Sequence, residues 1–271
     1  MWIQPPGTDN FFSISSTSTI IDKLPSNSYE LEHSMQGPYL SKIEQKDEEL
    51  LNFDDEPYNS IINEVTKFWN MENNYKKLSL PYRRGILIHG EPGTGKTGII
   101  RLLINQLLNN NGTIFYINSV GDLAKLSRML DDNKTSKYPV FIIEDLDQLL
   151  QDDEETLLNI LDGSCHNFHG ALFIATTNYF SIISPRAIRP SRFDRIIEIK
   201  YPSTKVRTEY LRSLFTRYNI PINKQLIEAS SGLSFASMKE LFISHVLYEL
   251  PIKDTVSRLL QIQEHTADNK R

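Results

Sequence analysis

The sequence has 271 residues, of which 39% are hydrophobic, enough for one large domain or two of moderate size. Its 29 basic and 34 acidic side chains give a formal net charge of -5, which argues against a nucleic-acid-binding protein and a protein that binds anionic membranes. Cys165 is the single cysteine, which excludes an intramolecular disulfide, and no apolar run approaches the ~18 residues that span a bilayer. With no signal-peptide pattern at the start, we expect a cytoplasmic protein without a membrane span.

Residues 1–56 are rich in Ser, Thr, Asn and Pro. Alternating polar and apolar residues at 11–15 and 29–33 predict short strands. We expect a small β-rich accessory region, or a partly ordered arm that docks on the main domain, and we assign partner recognition to it. The acidic runs at 47–49 and 54–56 favour a solvated face or linker over a metal site.

From Pro57 the pattern becomes helical. One apolar stripe at helical spacing consists of Ile61, Ile62, Val65, Phe68 and Trp69. Residues 73–82 predict a connecting loop, and the apolar run 85–89 predicts a buried strand.

The eight residues that follow this strand read GEPGTGKT and match the phosphate-binding pattern G-x-x-x-x-G-K-[ST]. Glycines allow backbone N–H groups to converge on phosphate oxygens, and the helix that follows adds its partial positive charge. Lys96 is expected to reach the β- and γ-phosphates, and the Thr97 hydroxyl to hold Mg²⁺. A Gly/Pro surface turn that matches by chance is the alternative. The predicted nucleotide-binding residues here are Gly90, Glu91, Pro92, Gly93, Thr94, Gly95, Lys96, Thr97 and Gly98.

Strands and helices then alternate. We predict strands at 113–117 and 139–143, a helix at 121–130 and a loop at 131–139. Such alternation indicates right-handed βαβ units. The predicted fold class is therefore α/β, a P-loop NTPase parallel sheet sandwiched by helices.

Two carboxylates, Glu144 and Asp145, end the strand at 139–143. Ligands bind at the carboxyl edge of open α/β sheets. One carboxylate should hold Mg²⁺ and the other should polarise the attacking water. Asp147 is interpreted as the N-cap of the next helix rather than as a catalytic group.

The next predicted elements are a helix at 154–161 and a strand at 171–177 that ends in Asn178. The Asn178 amide could bond the attacking water or the γ-phosphate, although Asn at a strand end is often only a turn former. His166 and His169, in the loop between these elements, are interpreted as loop histidines rather than metal ligands.

An arginine cluster precedes the strand at 195–199. It comprises Arg186, Arg189, Arg192 and Arg195. Guanidinium forks suit phosphate, and a surface salt-bridge network remains an equal alternative. Residues 203–271 predict a small all-α domain that begins with a cap at Ser203 or Thr204 and frays from Glu264.

The motifs GEPGTGKT, FIIEDLD, LLNILDGS, FIATTN and ISPRAIRPSRFDR, in this order, resemble those of AAA+ ATPases of the AAA group. The resemblance covers about residues 57–250. EDLD, LLNILDGS and ATTN are especially similar to the subfamily of the mitochondrial Rieske-maturation AAA translocase, whose membrane helix this sequence lacks.

The resemblance implies the cofactors ATP and Mg²⁺ and three domains: the N-terminal region 1–56, a large α/β ATPase domain 57–200 and a helical lid 201–271. It makes Asn178 the sensor that positions the lytic water. It places Arg189 and Arg192 at arginine-finger positions that complete the site of a neighbouring subunit, and so implies a homo-oligomer, usually a hexameric ring. It also places Ala236, within 234–238, in the segment that closes over adenine.

Two departures from the family pattern qualify this resemblance. The family reads Asp-Glu where this chain reads Glu144-Asp145; by register, Glu144 takes the Mg²⁺ role and Asp145 the water role. Residues 118–129 lack the aromatic pore residue of polypeptide-threading members. We therefore expect an ATP-hydrolysing remodelling chaperone that acts on a protein client. The alternatives are a nucleotide-gated scaffold with slow hydrolysis and, more weakly, a nucleic-acid motor.

Overall fold

The computed structural model describes residues 2–4, 11–13, 19–21, 24–35, 37–44, 56–133, 139–164 and 170–268. Cys165, the predicted loop histidines His166 and His169, the acidic run 47–49 and residues 54–55 lie outside this part of the chain.

Ten strands of the described part of the chain form one sheet. They are β1 (Trp2–Gln4), β2 (Phe11–Ser13), β3 (Thr19–Ile21), β4 (Ser28–Ser34), β5 (Gly37–Lys42), β6 (Arg83–Gly90), β7 (Thr113–Tyr116), β8 (Pro139–Ile143), β9 (Ala171–Thr177) and β10 (Arg195–Ile199).

Nine α-helices and one short 3₁₀ turn, Phe180–Ile182, accompany the sheet in the described residues. The helices are α1 (Glu56–Asn70), α2 (Glu72–Lys77), α3 (Lys96–Asn109), α4 (Val120–Asn133), α5 (Leu146–Leu161), α6 (Thr204–Arg217), α7 (Lys224–Ala229), α8 (Phe235–Val246) and α9 (Ile252–Asp268).

The strand order across the sheet is β10-β6-β9-β8-β7-β4-β5-β2-β1-β3. Neighbours from β10 to β4 run parallel, and neighbours from β4 to β3 run antiparallel. Since parallel neighbours need long crossovers, helices intervene between the parallel strands. The structure confirms the predicted α/β fold.

Each face of the sheet has its own apolar core. Alternate residues of a strand point to opposite faces, so Leu87 joins one core while Ile86 and Ile88 join the other. The first core includes buried residues of α4 and α5, and the second those of α1 and α3. Strands buried on both faces must be apolar throughout, which is why β8 reads Pro-Val-Phe-Ile-Ile.

One row of aromatic side chains crosses the parallel strands. Tyr29, Phe115, Phe141 and Phe173 are paired in register, with successive ring centroids 6.1, 5.7 and 4.8 Å apart. The next residue in this row is Gly85. A Cβ there would lie 1.8 Å from the carbonyl oxygen of Arg192, so glycine lets the arginine-bearing segment cross the strand.

The N-terminal strands extend the same sheet. The Ile114 amide donates to the Asn27 carbonyl at 2.9 Å, and the Ser26 hydroxyl donates to the Gly112 carbonyl at 2.6 Å. Tyr29 is fully buried in the core with α4 and α5. Strands therefore lie where the alternating stretches predicted them; the domain boundary at residue 56 stays a prediction.

Three predictions of helices and loops need correction. The predicted loop 73–82 contains α2, whose acidic first turn and basic last turn complement the helix dipole. The predicted loop from 131 begins later, because α4 continues to Asn133. The helix predicted from Glu154 is only the second part of α5, which begins at Leu146 and kinks at Asp153.

Helices α6–α9 pack around a separate core that includes Leu211, Phe215 and Phe242. Ser203 caps α6 as predicted, because its hydroxyl accepts the Val206 amide. Residues 264–268 complete α9, and the fraying expected from Glu264 stays a prediction. The Gln263 side chain anchors this helix by accepting bonds from the Ser234 amide and the Ser237 hydroxyl. Among the helices described, none has the length and apolarity to cross a membrane.

Candidate functional site

The segment 90–97, called the phosphate loop below, connects the carboxyl end of β6 to the start of α3. Gly93 and Gly95 have φ angles of +74° and +100°, which L side chains rarely adopt. Gly95 is the N-cap of α3, and Gly98 lies in its first turn, with open space where a Cβ would be. The glycines thus turn the chain directly into a helix N-terminus, where anions bind.

Lys96 lies inside this loop and is only 7% exposed. Its ammonium donates to the Gly90 and Glu91 carbonyls at 2.8 and 2.9 Å. The Thr94 hydroxyl donates to the Glu91 carbonyl at 2.8 Å and tightens the turn around Pro92. The loop therefore places a cation and a helix N-terminus together, the pair that phosphate oxygens require.

Thr97 and Glu144 come together from α3 and the end of β8. The Thr97 hydroxyl donates to Oε2 of Glu144 at 3.0 Å. A hydroxyl and a carboxylate oxygen suit Mg²⁺, which prefers oxygen ligands and usually completes its shell with phosphates and water. The described residues contain no cluster of three or more His, Cys, Asp or Glu side chains that could hold a metal ion.

The pKa of the nearby Tyr116 hydroxyl is raised, first by burial and then by the charge of Glu144. A cavity of about 300 Å³ opens beside these groups. Its lining includes Tyr116, Asn118, Glu144, Asp145 and Gln148.

The side chains of Asp145 and Asn178 are also in contact. The Asn178 amide nitrogen donates to Oδ1 of Asp145 at 3.3 Å, across the ends of β8 and β9. Asp145 adopts left-handed backbone angles, φ 52° and ψ 55°, which are uncommon for a residue other than glycine. Such conformations cluster at functional sites. The predicted water-polarising carboxylate and the predicted sensor amide are thus in contact.

The prediction that Asp147 caps the following helix is wrong. Helix α5 begins directly after Asp145, which occupies the cap position, so Asp147 falls inside the first turn. Asp147 is 6% exposed, and its Oδ1 accepts the Thr177 hydroxyl at 2.5 Å.

Arg192 is held within its own chain. Its guanidinium donates to Asp162 Oδ2 at 2.9 Å and to the Arg186 carbonyl at 2.7 Å. Burial opposes ionisation of Asp162, but bonds from Ser164 and Arg192 lower the pKa of its carboxyl group below the ordinary value. Arg189 is exposed. In the described residues, neither Arg189 nor Arg192 contacts the phosphate loop of the same chain.

The helical domain contacts the phosphate loop directly. The Phe235 amide donates to the Gly93 carbonyl at 2.9 Å. A Cβ on Gly93 would lie 2.9 Å from that of Ala236, and a Cβ on Gly95 would lie 3.2 Å from the Phe235 ring. Ala236, predicted to approach the nucleotide, therefore lies against the loop.

Sequence reasoning missed three contacts around this site. They are the bond between Asp147 and Thr177, the ion pair between Asp162 and Arg192, and the stacking of His89 on Phe180 at 4.1 Å. The only sequence signal for these contacts was proximity to a predicted site residue, which lies within two positions of Asp147, Thr177 and His89.

Comparisons with known proteins agree with this geometry. Residues 86–201 match the family described as ATPase family associated with various cellular activities (AAA), so this segment is similar to AAA ATPases. It is 28% identical over 229 residues to the ATP-dependent zinc metalloprotease FtsH of Mycoplasmopsis synoviae, covering 75% of this chain and 34% of the relative.

Two further relatives show the same level of similarity. A proteasome-activating nucleotidase of Saccharolobus islandicus is 28% identical, over 62% of this chain and 48% of its own length. An AAA-ATPase of Arabidopsis thaliana is 27% identical, over 78% of this chain and 49% of its own length. The chain thus spans between about a third and a half of these relatives.

Proposed function

From the site geometry and the similarity of residues 86–201 to AAA ATPases, we propose that this protein hydrolyses ATP in a ring of identical subunits and uses the energy to remodel a protein partner. The observation that carries the proposal is the convergence of three groups at one sheet edge. They are the buried Lys96, the Thr97–Glu144 pair and the Asn178–Asp145 pair.

In this proposal each group has a distinct role. Lys96 and the N-terminus of α3 bind the phosphates. Thr97 and Glu144 hold Mg²⁺, which when bound neutralises charge on the transferring phosphoryl group. Asp145 polarises the attacking water, and Asn178, hydrogen-bonded to it, orients that water toward the γ-phosphate. Phe235 and Ala236 cover the loop and exclude solvent from the adenine side.

The proposed ring rests on the position of the arginines. The Arg192 backbone lies against Gly85, near the start of β6, whereas the phosphate loop begins at Gly90, where β6 ends. Five residues of extended strand span roughly 16 Å, which an arginine side chain does not bridge. In this proposal Arg189 and Arg192 serve another subunit's nucleotide: exposed Arg189 reaches it, and Arg192 is held by Asp162. A hexameric ring would complete every site in this way.

We further propose a cytoplasmic location and a docked protein client. The lack of an aromatic residue at 118–129 disfavours polypeptide threading.

Turnover of ATP by the purified full chain tests the site. Lys96→Ala and Asp145→Asn should each lower kcat/KM by at least about 100-fold, because each removes a group that acts on the phosphoryl group or the water. Lys253→Ala, which alters an exposed lysine of α9, is the matched control. Unchanged turnover in both site variants would reject the assignment.

Mixing two inactive variants tests whether neighbouring subunits together form one ATPase site. Arg189→Ala protomers keep their own carboxylates, and Asp145→Asn protomers keep their arginines. In mixed rings roughly a quarter of the sites would combine an intact loop with an intact finger, so activity should reappear. No recovery at ring-forming concentrations would contradict sharing between subunits.

A nucleotide-gated scaffold is the second candidate, favoured by one observation. Asp145 stands where the family has the longer Glu, so its carboxylate reaches one methylene less far. A scaffold predicts ATP-dependent assembly without partner-stimulated turnover, and measuring turnover with and without a candidate client separates the two functions.

A further inference from the structure

One buried carboxylate near the candidate site has no role in the chemistry proposed above. Asp147 is 6% exposed and Thr177, which donates to it at 2.5 Å, is fully buried. A buried carboxylate is costly unless it is hydrogen-bonded. The pair is therefore a firm link between the first turn of α5 and the end of β9.

Thr177 uses the same hydroxyl for a second bond. Its Oγ1 accepts the Tyr179 amide at 2.9 Å, closing a short turn from residue 177 to residue 179. Threonine hydroxyls commonly stabilise turns in this way. The residue inside this turn is Asn178, so the path of its backbone is fixed on both sides.

Two parallel links result. Asp145 and Asp147 come from the start of α5, and they bond to Asn178 and Thr177, respectively, at the end of β9. The buried link holds the turn in place, and the more exposed link joins the amide to the carboxylate beside the phosphate loop.

We propose that Asp147 and Thr177 are positioning residues for the ATPase site, which hold the Asn178 amide at the distance from Asp145 that water activation requires. This inference rests on the proposed ATPase function. Neither residue touches the nucleotide. Their effect comes through geometry, since misplacement of a reacting group by about 1 Å can cost roughly 100-fold in rate.

The test compares kcat and KM for MgATP in the full chain. Thr177→Val keeps the shape of the side chain but removes both hydrogen bonds. We expect kcat to fall by about 10- to 100-fold while KM stays within about twofold, because the phosphate loop is intact. Thr177→Ser restores the hydroxyl and should recover most of kcat. The same contrast is expected between Asp147→Leu and Asp147→Asn, which keeps an acceptor oxygen.

A merely structural link would behave differently. Thr176→Val, a change of the same chemistry at the adjacent buried position of β9, is the control and should leave kcat unchanged. In an Asn178→Ala background, Thr177→Val should lower kcat no further, because the amide that it positions is gone. Full additivity of the two substitutions, or equal loss in Thr176→Val, would overturn the inference.

The result also separates this inference from the proposed function. If Asn178→Ala lowers kcat and Thr177→Val does not, the ATPase assignment stands and the positioning role is wrong. If neither Lys96→Ala nor Asn178→Ala changes turnover, the proposed function itself fails. A Thr177→Val protein that does not fold leaves the Thr177→Ser and Asp147→Asn variants, whose near-normal kcat is required by the inference.

Discussion

At the scale of single residues, Gly93 joins the phosphate loop to the helical domain. Its φ of +74° would cost an alanine about 1–2 kcal/mol, and the added Cβ would lie 2.9 Å from both Ala236 Cβ and Ser234 Oγ. We therefore predict that Gly93→Ala weakens MgATP binding by roughly tenfold or more, measured by titration with a fluorescent ATP analogue.

The control for this substitution is Gly121→Ala. Gly121 lies in α4, and its Cβ would meet only Ser119 Oγ at 3.8 Å. This variant should bind MgATP like the unmodified protein. Equal affinities for Gly93→Ala and Gly121→Ala would show that the contact between loop and helical domain is not tight in solution.

His89 gives a prediction about pH. Burial lowers the pKa of its imidazole below 6.5, as does Lys96, while Glu198 acts in the opposite direction. The folded protein then binds fewer protons at this site than the unfolded chain. The stabilisation that His89 contributes is complete above about pH 6.5 and is lost as the pH falls through that value toward the folded-state pKa.

His89→Phe keeps a flat ring against Phe180 but cannot be protonated. The free energy of unfolding, measured with urea from pH 8 to pH 5, should fall less steeply for this variant than for the unmodified protein. Parallel curves across this range would mean that His89 has the same pKa in both states.

At the scale of elements, the strands β4 and β5 belong to the core of the ATPase sheet. Tyr29 is fully buried beside Phe115, and Leu40 is fully buried as well. We predict that Tyr29→Ala lowers the free energy of unfolding by about 3–5 kcal/mol, because a large buried aromatic side chain is lost. Met35→Ala, in the exposed turn between the strands, should change it by less than about 0.5 kcal/mol.

Denaturation monitored by circular dichroism would measure both variants. A small effect of Tyr29→Ala would indicate that the N-terminal strands separate from the sheet before it unfolds, as a docked arm would. A single transition shifted as predicted would mean that residues 24–44 unfold together with the ATPase domain.

The local pattern of apolar residues was sufficient to predict most strands of the parallel sheet. Strand β8 is apolar over its whole length, and β6 and β9 contain the apolar runs 86–88 and 171–175, as strands buried on both faces require. The placement of Lys96, Thr97 and Asn178 at one edge followed from that, because parallel strands share a carboxyl edge.

Contacts between segments that are distant in the chain could not be predicted from the sequence. The pairing of β4 with β7 depends on residues far apart in the chain, and alternation alone does not name the partner strand. Asp is a residue type that commonly caps helices, which favoured Asp147 as the cap. Helix α5 begins at Leu146, however, so Asp147 lies in its first turn. The sequence offers many possible ion-pair partners for Arg192. Its place beside Asp162 depends on the crossing of the segment that contains Arg192 over β6 at Gly85.

At the scale of the whole molecule, the sheet and helices α6–α9 have separate apolar cores, and Phe235 and Gly93 join them next to the phosphate loop. If ATP binds at this loop as proposed, both parts of the molecule contribute to its binding. MgATP at about 100 times its dissociation constant should therefore stabilise the full chain by about 2.7 kcal/mol.

Thermal unfolding with and without MgATP measures this effect, and a protein of this size should gain roughly 5–10 °C in Tm. Lys96→Ala should show no gain at the same nucleotide concentration. If instead this variant gained as much as the unmodified protein, binding would not involve the phosphate loop.

The position of β4 in the sheet also has a consequence for how the chain is made. Ser26 bonds to Gly112, 86 residues later, so β4 is synthesised before β7 and must wait for it to gain its partner in the parallel sheet. At cellular rates of synthesis this interval is on the order of ten seconds. During it, the apolar residues Tyr29, Leu31 and Leu40 lack the helices that later cover them. The newborn chain is thus expected to need protection from aggregation until its nucleotide-binding half has been synthesised.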